Sequence, residues 1–444
     1  MKEQVRALEE AGFSRTQTDA LGGVLGSERG FMRWGLGVSV ARSLAMSTKL
    51  PIRARSRTGL SLRKLMPTHD LILAGGRVID PSQDIDTVAD VAFSDGKVAA
   101  IGANLPRDGA DVRDVSGKLV TPGLIDLHTH VYWGGTSIGV DPTDYAKRCG
   151  TTTMIDAGTA GAGNFAGFRK HVIEPCDARI LAYLNVSFAG IFAFSDTVMV
   201  GESEDVRMLH PRACLHVANL NKDLLVGIKV RVGARASGSM GYQPLDIAIE
   251  VAEEAGLPVM CHLDWPPPSR RDVVSRLRSG DVLTHCFRPF PAAPARGDGR
   301  IREEILEARE RGVIFDIGHG MGSFGFDTAA AMLDAGFLPD AISSDVHSLS
   351  IHGPAYDQLV TLSKFLLLGM DLKDIIAAST TGPARAIRRP DLGTLAPGSI
   401  GDATIMELVD GPVAFKDSLG ATKTGDKSLG LSGVVINGAW WHGA

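Results

Sequence analysis

The stretch PGLIDLHTH, residues 122–130, decides the fold. An apolar run ends there on two histidines one residue apart. In an extended chain, side chains at i and i+2 share a face, so His128 and His130 point the same way, as chelation of a single ion requires. A His-x-His pair also occurs as ordinary structure, so its meaning depends on what surrounds it.

Outward from that stretch, the pattern of strand, loop and helix repeats. Apolar strand candidates are residues 119–130, 151–159, 179–187, 224–232, 258–264, 281–287, 313–319 and 341–347. Amphipathic helical stretches fall between or after them, among them PLDIAIEVAEEAG (244–256), IREEILEARERG (301–312) and YDQLVTLSKFLLLG (356–369). Nearly continuous apolar strands alternating with helices predict a parallel sheet covered by helices. Eight of them predict an α/β fold, a (β/α)8 TIM barrel over residues 121–390.

Polar residues recur at the C-terminal ends of these strands. His128 and His130 follow the first, Lys229 lies in the fourth, His262 in the fifth, His285 in the sixth and Asp345 in the eighth. In a barrel those ends converge on the face where active sites are built, and imidazoles with a carboxylate form a set of metal ligands. Each residue also has a plainer reading. His262 or His285 alone fits a satisfied core histidine, and Asp345 fits a loop or helix cap. Lys229 is the most informative, because an unpaired ammonium is costly inside an apolar strand and must be paired, neutralised or modified. One shared site explains all six positions together.

The two ends of the chain have a different texture. Residues 69–120 and 391–444 carry short alternating runs such as DLILAGGRVID and LSGVVINGAWWHGA, separated by Gly, Asp and Pro turns. They predict a small β-sandwich domain built from both ends of the chain. Residues 1–68 differ again, with Arg33, Arg42, Lys49, Arg53, Arg55, Arg57, Arg63 and Lys64 and no acidic residue after position 30. They are expected to be a flexible N-terminal extension or an over-long start, with a targeting segment or a partner-binding arm as alternatives.

The chain has 444 residues, with 46 Lys and Arg against 51 Asp and Glu. A net charge of −5 is too mild to imply a nucleic-acid or membrane partner. No apolar run reaches the roughly 18 to 20 residues of a membrane-spanning helix. Five cysteines, Cys149, Cys176, Cys214, Cys261 and Cys286, lack CxxC spacing and read as free thiols of a reducing, cytoplasmic setting. The expected partner is a small-molecule substrate, and the apolar stretch QLVTLSKFLLLG leaves room for a homo-oligomer.

The ordered set His128, His130, Lys229, His262, His285 and Asp345, with PGLIDLHTH and the later LGTLAPGSIGDATIM, resembles the amidohydrolase superfamily of binuclear metallohydrolases. DLHTHVYWGGTSIGVDP, GIKVR, RGVIFDIGHG and HGPAYDQLVTLSKFLLLGM are similar to its amidohydrolase/deacetylase branch, which is dihydroorotase-like in architecture. Known activities of that branch include deacetylation of acetylated 2-hydroxy acids such as acetyl-(R)-mandelate.

This resemblance implies two divalent ions, by default Zn2+, although manganese, iron or cobalt could take the same ligands. His128, His130 and Asp345 would bind the more buried ion, and His262 and His285 the more exposed one. Lys229 would bridge both as an N6-carboxylated lysine. The implied activity is a metal-dependent deacetylase or esterase that cleaves the acyl ester or acyl amide of a small carboxylic acid. Its nucleophile would be a metal-bridging hydroxide, with Asp345 as catalytic base and then acid.

Substrate contacts are expected from His319, Arg231, Tyr132 and Trp133, with Arg231 equally able to pair with an acidic neighbour and Tyr132 and Trp133 serving as pocket wall. His347 and His352 read as supporting or loop residues. The loops CFRPFPAAPARGDG after His285 and LDWPPPSRR after His262 depart from the branch's usual versions, which leaves acyl and leaving-group preference open. A cyclic-amide hydrolase of dihydroorotase or hydantoinase type uses the same ligand set, and a non-catalytic barrel scaffold is the alternative outside catalysis.

Overall fold

The computed structural model describes residues 69–443, so the expected extension over residues 1–68 lies outside the described residues. Among the described residues, fifteen strands form two sheets. From the N-terminal side come β1 (Leu71–Asp80), β2 (Ile85–Ser94), β3 (Lys97–Gly102), β4 (Asp111–Asp114) and β5 (Leu119–Pro122). The middle supplies β6 (Leu124–Thr129), β7 (Thr151–Gly161), β8 (Arg179–Asn185), β9 (Leu225–Val232), β10 (Val259–Leu263), β11 (Val282–Leu283) and β12 (Ile314–Phe315). The last three are β13 (Ala403–Lys416), β14 (Thr422–Ile436) and β15 (Ala439–Gly443).

Strands β6 to β12 are parallel and neighbour one another in chain order. The segment 341–346 then bridges both edges, Asp316 with Ala341 on one side and Thr129 with Val346 on the other. The parallel sheet therefore curls until its two ends share one segment. Alternate residues serve its two faces. Ile125, Ile155, Ala157, Leu181, Tyr183 and Met260 pack in one cluster, whereas Leu124, Met154, Ile180, Ala182, Ile228 and Val259 join the larger core. A sheet apolar on both faces is what helices on the outside and a filled interior require.

Local chemistry sets the covering helices. Gln243–Ala255 has Pro244 in its first turn and ends on Gly256 at φ 69°, the left-handed conformation that glycine adopts without strain. Its Leu245, Ala248, Val251 and Ala252 form the buried stripe. At Pro142–Cys149, the Asp141 carboxylate accepts from the amides of Thr143 and Asp144, at 2.8 and 3.1 Å.

The structure departs from the sequence reading in three places, one of them the expected eighth strand, 341–347, which makes only isolated bridges at Ala341 and Val346. The first expected strand, 119–130, is two strands that belong to different sheets. They part at Gly123, where a Cβ would lie 2.2 Å from Thr152 Oγ1. The sixth and seventh strands of the parallel sheet are only two residues each, because the chain leaves extended geometry as it presents its polar residues. His285 has φ 63° and Gly318 φ 47°.

Strands from both ends of the chain meet in one eight-stranded sheet, ordered β15-β14-β13-β5-β1-β2-β3, with β4 on β1. Its seam is the antiparallel pairing of β13 with β5, from Ala403 opposite Pro122 to Met406 opposite Leu119. No helix among the described residues is long and apolar enough to cross a membrane.

Candidate metal centre and substrate pocket

The curled sheet gathers the six strand-end residues. Lys229 of β9 stands opposite Asn185 of β8 and Met260 of β10, and Arg231 stands opposite His262. Strand alternation places Lys229, Arg231 and His262 on the inward face. The imidazole rings follow one another in space, with centroids 5.3 Å apart for His128 and His130, 5.0 Å for His128 and His285, and 4.4 Å for His262 and His285. Ligand atoms of His128, His285 and Asp345 all lie within 4.8 Å of one another.

Hydrogen bonds behind the rings settle which nitrogens face inward. Thr284 Oγ1 donates to Asp316 Oδ2 at 2.7 Å and accepts from His128 Nδ1 at 2.7 Å. The same relay recurs at the neighbouring histidine: Thr159 Oγ1 donates to Asp156 Oδ2 at 2.7 Å and accepts from His130 Nδ1 at 2.8 Å. His285 Nδ1 donates to the Gly318 carbonyl at 2.7 Å. With the proton on Nδ1, each Nε2 keeps its lone pair for the interior. His128 Nε2 and His130 Nε2 both point at Asp345 Oδ1, each at 3.3 Å.

Among the buried polar atoms that meet no protein partner are two of this set, Lys229 Nζ and His285 Nε2. Such orphaned groups cost about 1 to 3 kcal/mol each, more when charged, and they aim into the space that the imidazoles surround. Burial drives His128, His262 and His285 well below the ordinary imidazole range and His130 down to about 3, so these rings are neutral and able to ligate. Burial also lowers Lys229 to about 8 and raises Asp345 to about 6. The donor set of imidazoles, a carboxylate and a lysine fits divalent metal ions.

The backbone is shaped to this arrangement. His285 and Asp345 both adopt left-handed φ, 63° and 48°, a strained conformation for residues other than glycine. Gly158 makes room for Lys229, since a Cβ there would stand 2.4 Å from the lysine Cβ. At Gly320 a Cβ would come within 2.1 Å of Asp345 Oδ2.

A cleft of about 180 Å3 opens over the centre, walled by Phe194, Met199, Val200, Trp265 and Met321 and carrying Arg231, Asp264, Arg288 and His347. Of the expected substrate contacts, Arg231 lines both the cleft and the chamber below it. Its Nη1 is paired with Glu202 at 3.0 Å, and its guanidinium lies over the Phe194 ring. His319 is fully buried outside the cleft. Its Nδ1 bonds the Gly320 carbonyl at 2.9 Å, its Nε2 meets Lys364 Nζ at 2.7 Å, and its ring stacks on Phe324. Tyr132 stacks on Phe168 and donates to the Asn164 carbonyl, whereas Trp133 is 58% exposed and lines neither space. His347 lines both spaces, and His352 is exposed.

Arg235, Asp264, Arg288 and Ser323 of the cleft escaped the sequence reading. Asp264 carries a usable signal, lying two positions after His262 and so on the same side of an extended chain. Arg288 lies beyond the left-handed turn at His285, where strand parity no longer applies.

The gathered imidazoles and carboxylate form a candidate metal site, and comparison with known proteins gives the class of hydrolase. A model described as "Amidohydrolase family" matches residues 320–441. A deacetylase from Brucella anthropi is 36% identical over 342 residues, covering 76% of this chain and 83% of the relative. A deacetylase from Agrobacterium fabrum is 36% identical over 332 residues, covering 73% and 80%. Among solved structures, a dihydroorotase shares 32% identity at a TM-score of 0.77, covering 85% of this chain and 99% of that one. An adenine deaminase shares 27% identity at 0.78, covering 84% and 100%.

The chain belongs to the amidohydrolase family. Within that family its similar relatives are named deacetylases, and it is a hydrolase acting on C–N or ester bonds.

Proposed function

We propose that this protein is a deacetylase or esterase that cleaves the acyl ester or acyl amide of a small carboxylic acid, with two divalent ions, Zn2+ by the donor chemistry, in the centre. His128, His130 and Asp345 would hold the inner ion and His262 and His285 the outer one. Lys229, carboxylated on Nζ, would serve both. The observation that carries this reading is the convergence of orphaned Lys229 Nζ and His285 Nε2 with the two Nε2 atoms aimed at Asp345. Ions bound there would supply Lewis acidity, polarising an acyl carbonyl and making water nucleophilic near neutral pH.

The remaining work falls to the protein. Asp345 accepts the proton of the attacking water on a carboxylate oxygen, the new C–O bond forms, and the same proton passes to the leaving alkoxide or amine. The threonine relays keep His128 and His130 in the ligating tautomer throughout. Burial of Lys229 favours its neutral amine, the form that adds CO2.

The reading includes a catalytic unit over residues 121–390 and a closed (β/α)8 barrel, with residues 69–120 and 391–444 forming a β-sandwich module. It also includes a cytoplasmic setting, which the five free thiols suit, and a small-molecule substrate. The dihydroorotase neighbour supports a second reading, opening of a cyclic amide at the same centre.

The test is elemental analysis of the purified protein beside a hydrolysis screen of acetyl esters of 2-hydroxy acids, N-acetyl-D-amino acids and dihydroorotate. About two ions per chain with ester or amide turnover is the expected outcome. Turnover of dihydroorotate alone selects ring opening. One ion or none, with no turnover after metal is restored, removes the catalytic reading in favour of a scaffold.

A further inference from the structure

Beside Asp345, the cleft over the centre contains Arg231, Arg235, Arg288 and Asp264, and their pairing is uneven; the Arg235 guanidinium lies over the Trp265 ring. Arg231 is already engaged, its guanidinium bonded to the buried Glu202 carboxylate at 3.0 Å. Arg288 forms no ion pair with any described residue. Its Nη2 donates to Ser323 Oγ at 2.7 Å and stands 3.5 Å from His262 Nε2, and its buried Nε has no hydrogen-bond partner. Ser323 and His262 line the same cleft, so the guanidinium end faces the space beside the reacting centre. A guanidinium offers five donors in a planar fork that matches a carboxylate, and leaving a buried donor unpaired is costly. Elsewhere on the cleft wall Asp264, 5% exposed, has no cation within ion-pairing distance among the described residues.

Resting on the hydrolase reading above, we propose that Arg288, not Arg231, anchors the substrate carboxylate, and that Asp264 turns away a second negative charge. The site then selects acylated monocarboxylic acids over neutral esters, which leave Arg288 unpaired, and over dicarboxylic acids, which meet the Asp264 carboxylate. Arg288 acts as a specificity-determining residue that touches the substrate away from the bond being cleaved.

The experiment compares kcat and KM of the metal-loaded full chain on three matched acetyl esters, bearing one free carboxylate, its methyl ester, or two carboxylates. Wild type, Arg288→Gln, Arg288→Lys and Asp264→Asn are measured together, with calorimetric binding of the free monocarboxylate product as a second readout. Arg288→Gln is expected to lower the monoanion-to-neutral ratio of kcat/KM by about 10- to 100-fold, the scale of a lost charge-assisted bond, with the loss mostly in KM. Arg288→Lys should restore part of it, and Asp264→Asn should narrow the monoanion-to-dianion ratio.

An unchanged monoanion-to-neutral ratio in both Arg288 variants, or product binding equal to wild type, overturns the Arg288 assignment. An unchanged dianion ratio in Asp264→Asn overturns the role of Asp264. Absence of turnover on every ester in the wild type removes the hydrolase reading instead, while loss of product binding in Arg288→Gln still supports the anchor. If Arg288→Gln does not fold, the Arg288→Lys ratio and product binding decide.

Discussion

His128 Nε2 lies 3.3 Å from Asp345 Oδ1, across the line where the first strand of the parallel sheet meets the segment that closes it. The backbone repeats the link, since the Asp345 amide donates to the His128 carbonyl at 2.8 Å. The centre therefore depends on closure of the sheet, and damage to either edge should reach the ligands.

Lys229→Ala removes the buried Nζ that has no protein partner. On the proposed bridging role, metal content and activity should fall together, activity by at least about 100-fold, because losing a group bonded to the ions outweighs the 10- to 100-fold typical of losing its supporting residues. Short carboxylic acids should restore part of both. Elemental analysis with rates at increasing acetate checks this, and full activity without added acid would sink the bridging role.

Thr159→Val and Thr284→Val each cut one histidine relay while keeping side-chain shape. Metal affinity should drop about 10- to 100-fold in either variant. Competition against a calibrated chelator measures it, and wild-type affinity in both would mean that the relays do not orient the rings.

Gly158→Ala places a methyl 2.4 Å from Lys229 Cβ at a residue with φ 79°. The strain should cost about 1 to 3 kcal/mol of stability, and lysine displacement should lower metal content as well. Denaturant unfolding and metal analysis on the same sample report the two effects separately.

Lys364 supplies a pH prediction away from the ligands. Burial lowers its pKa from 10.5 to about 7 in the folded chain, although it bonds His319 Nε2 and the Pro354 carbonyl. Between those values the unfolded chain holds a proton that the native chain lacks, so stability rises with pH. Its contribution is fully present above the unfolded pKa and is lost as pH falls through about 7. Lys364→Met should flatten that slope, as unfolding curves at pH 7 and pH 10 would show. An equal slope in both proteins would mean that Lys364 stays charged throughout.

Much of the centre was legible in the sequence because strand geometry is regular. Two-residue periodicity carries His128, His130, Lys229 and His262 to one face, and an apolar strand makes a lysine conspicuous. The cleft was far less legible. His319 follows Gly318 at φ 47°, and that turn sends its ring into the core toward Lys364. Arg231 pairs with Glu202, a residue of the loop after β8, which no local pattern connects to it. The terminal module was readable as β structure at both ends, but the parallel join of β1 to β5 and the antiparallel join of β5 to β13 are pairings of distant segments that composition does not encode.

That seam has a consequence for how the protein comes into being. During synthesis, β5 must wait for β13 while the whole parallel sheet between them is made, its Leu119–Pro122 edge unpaired and free to take a wrong partner. The residues of the parallel sheet have all been made by Val346, but the other sheet cannot be finished until the final strands emerge. A premature stop between Val346 and Ala403 would thus leave, next to all six proposed ligands, an adhesive strand edge of the kind that quality control removes.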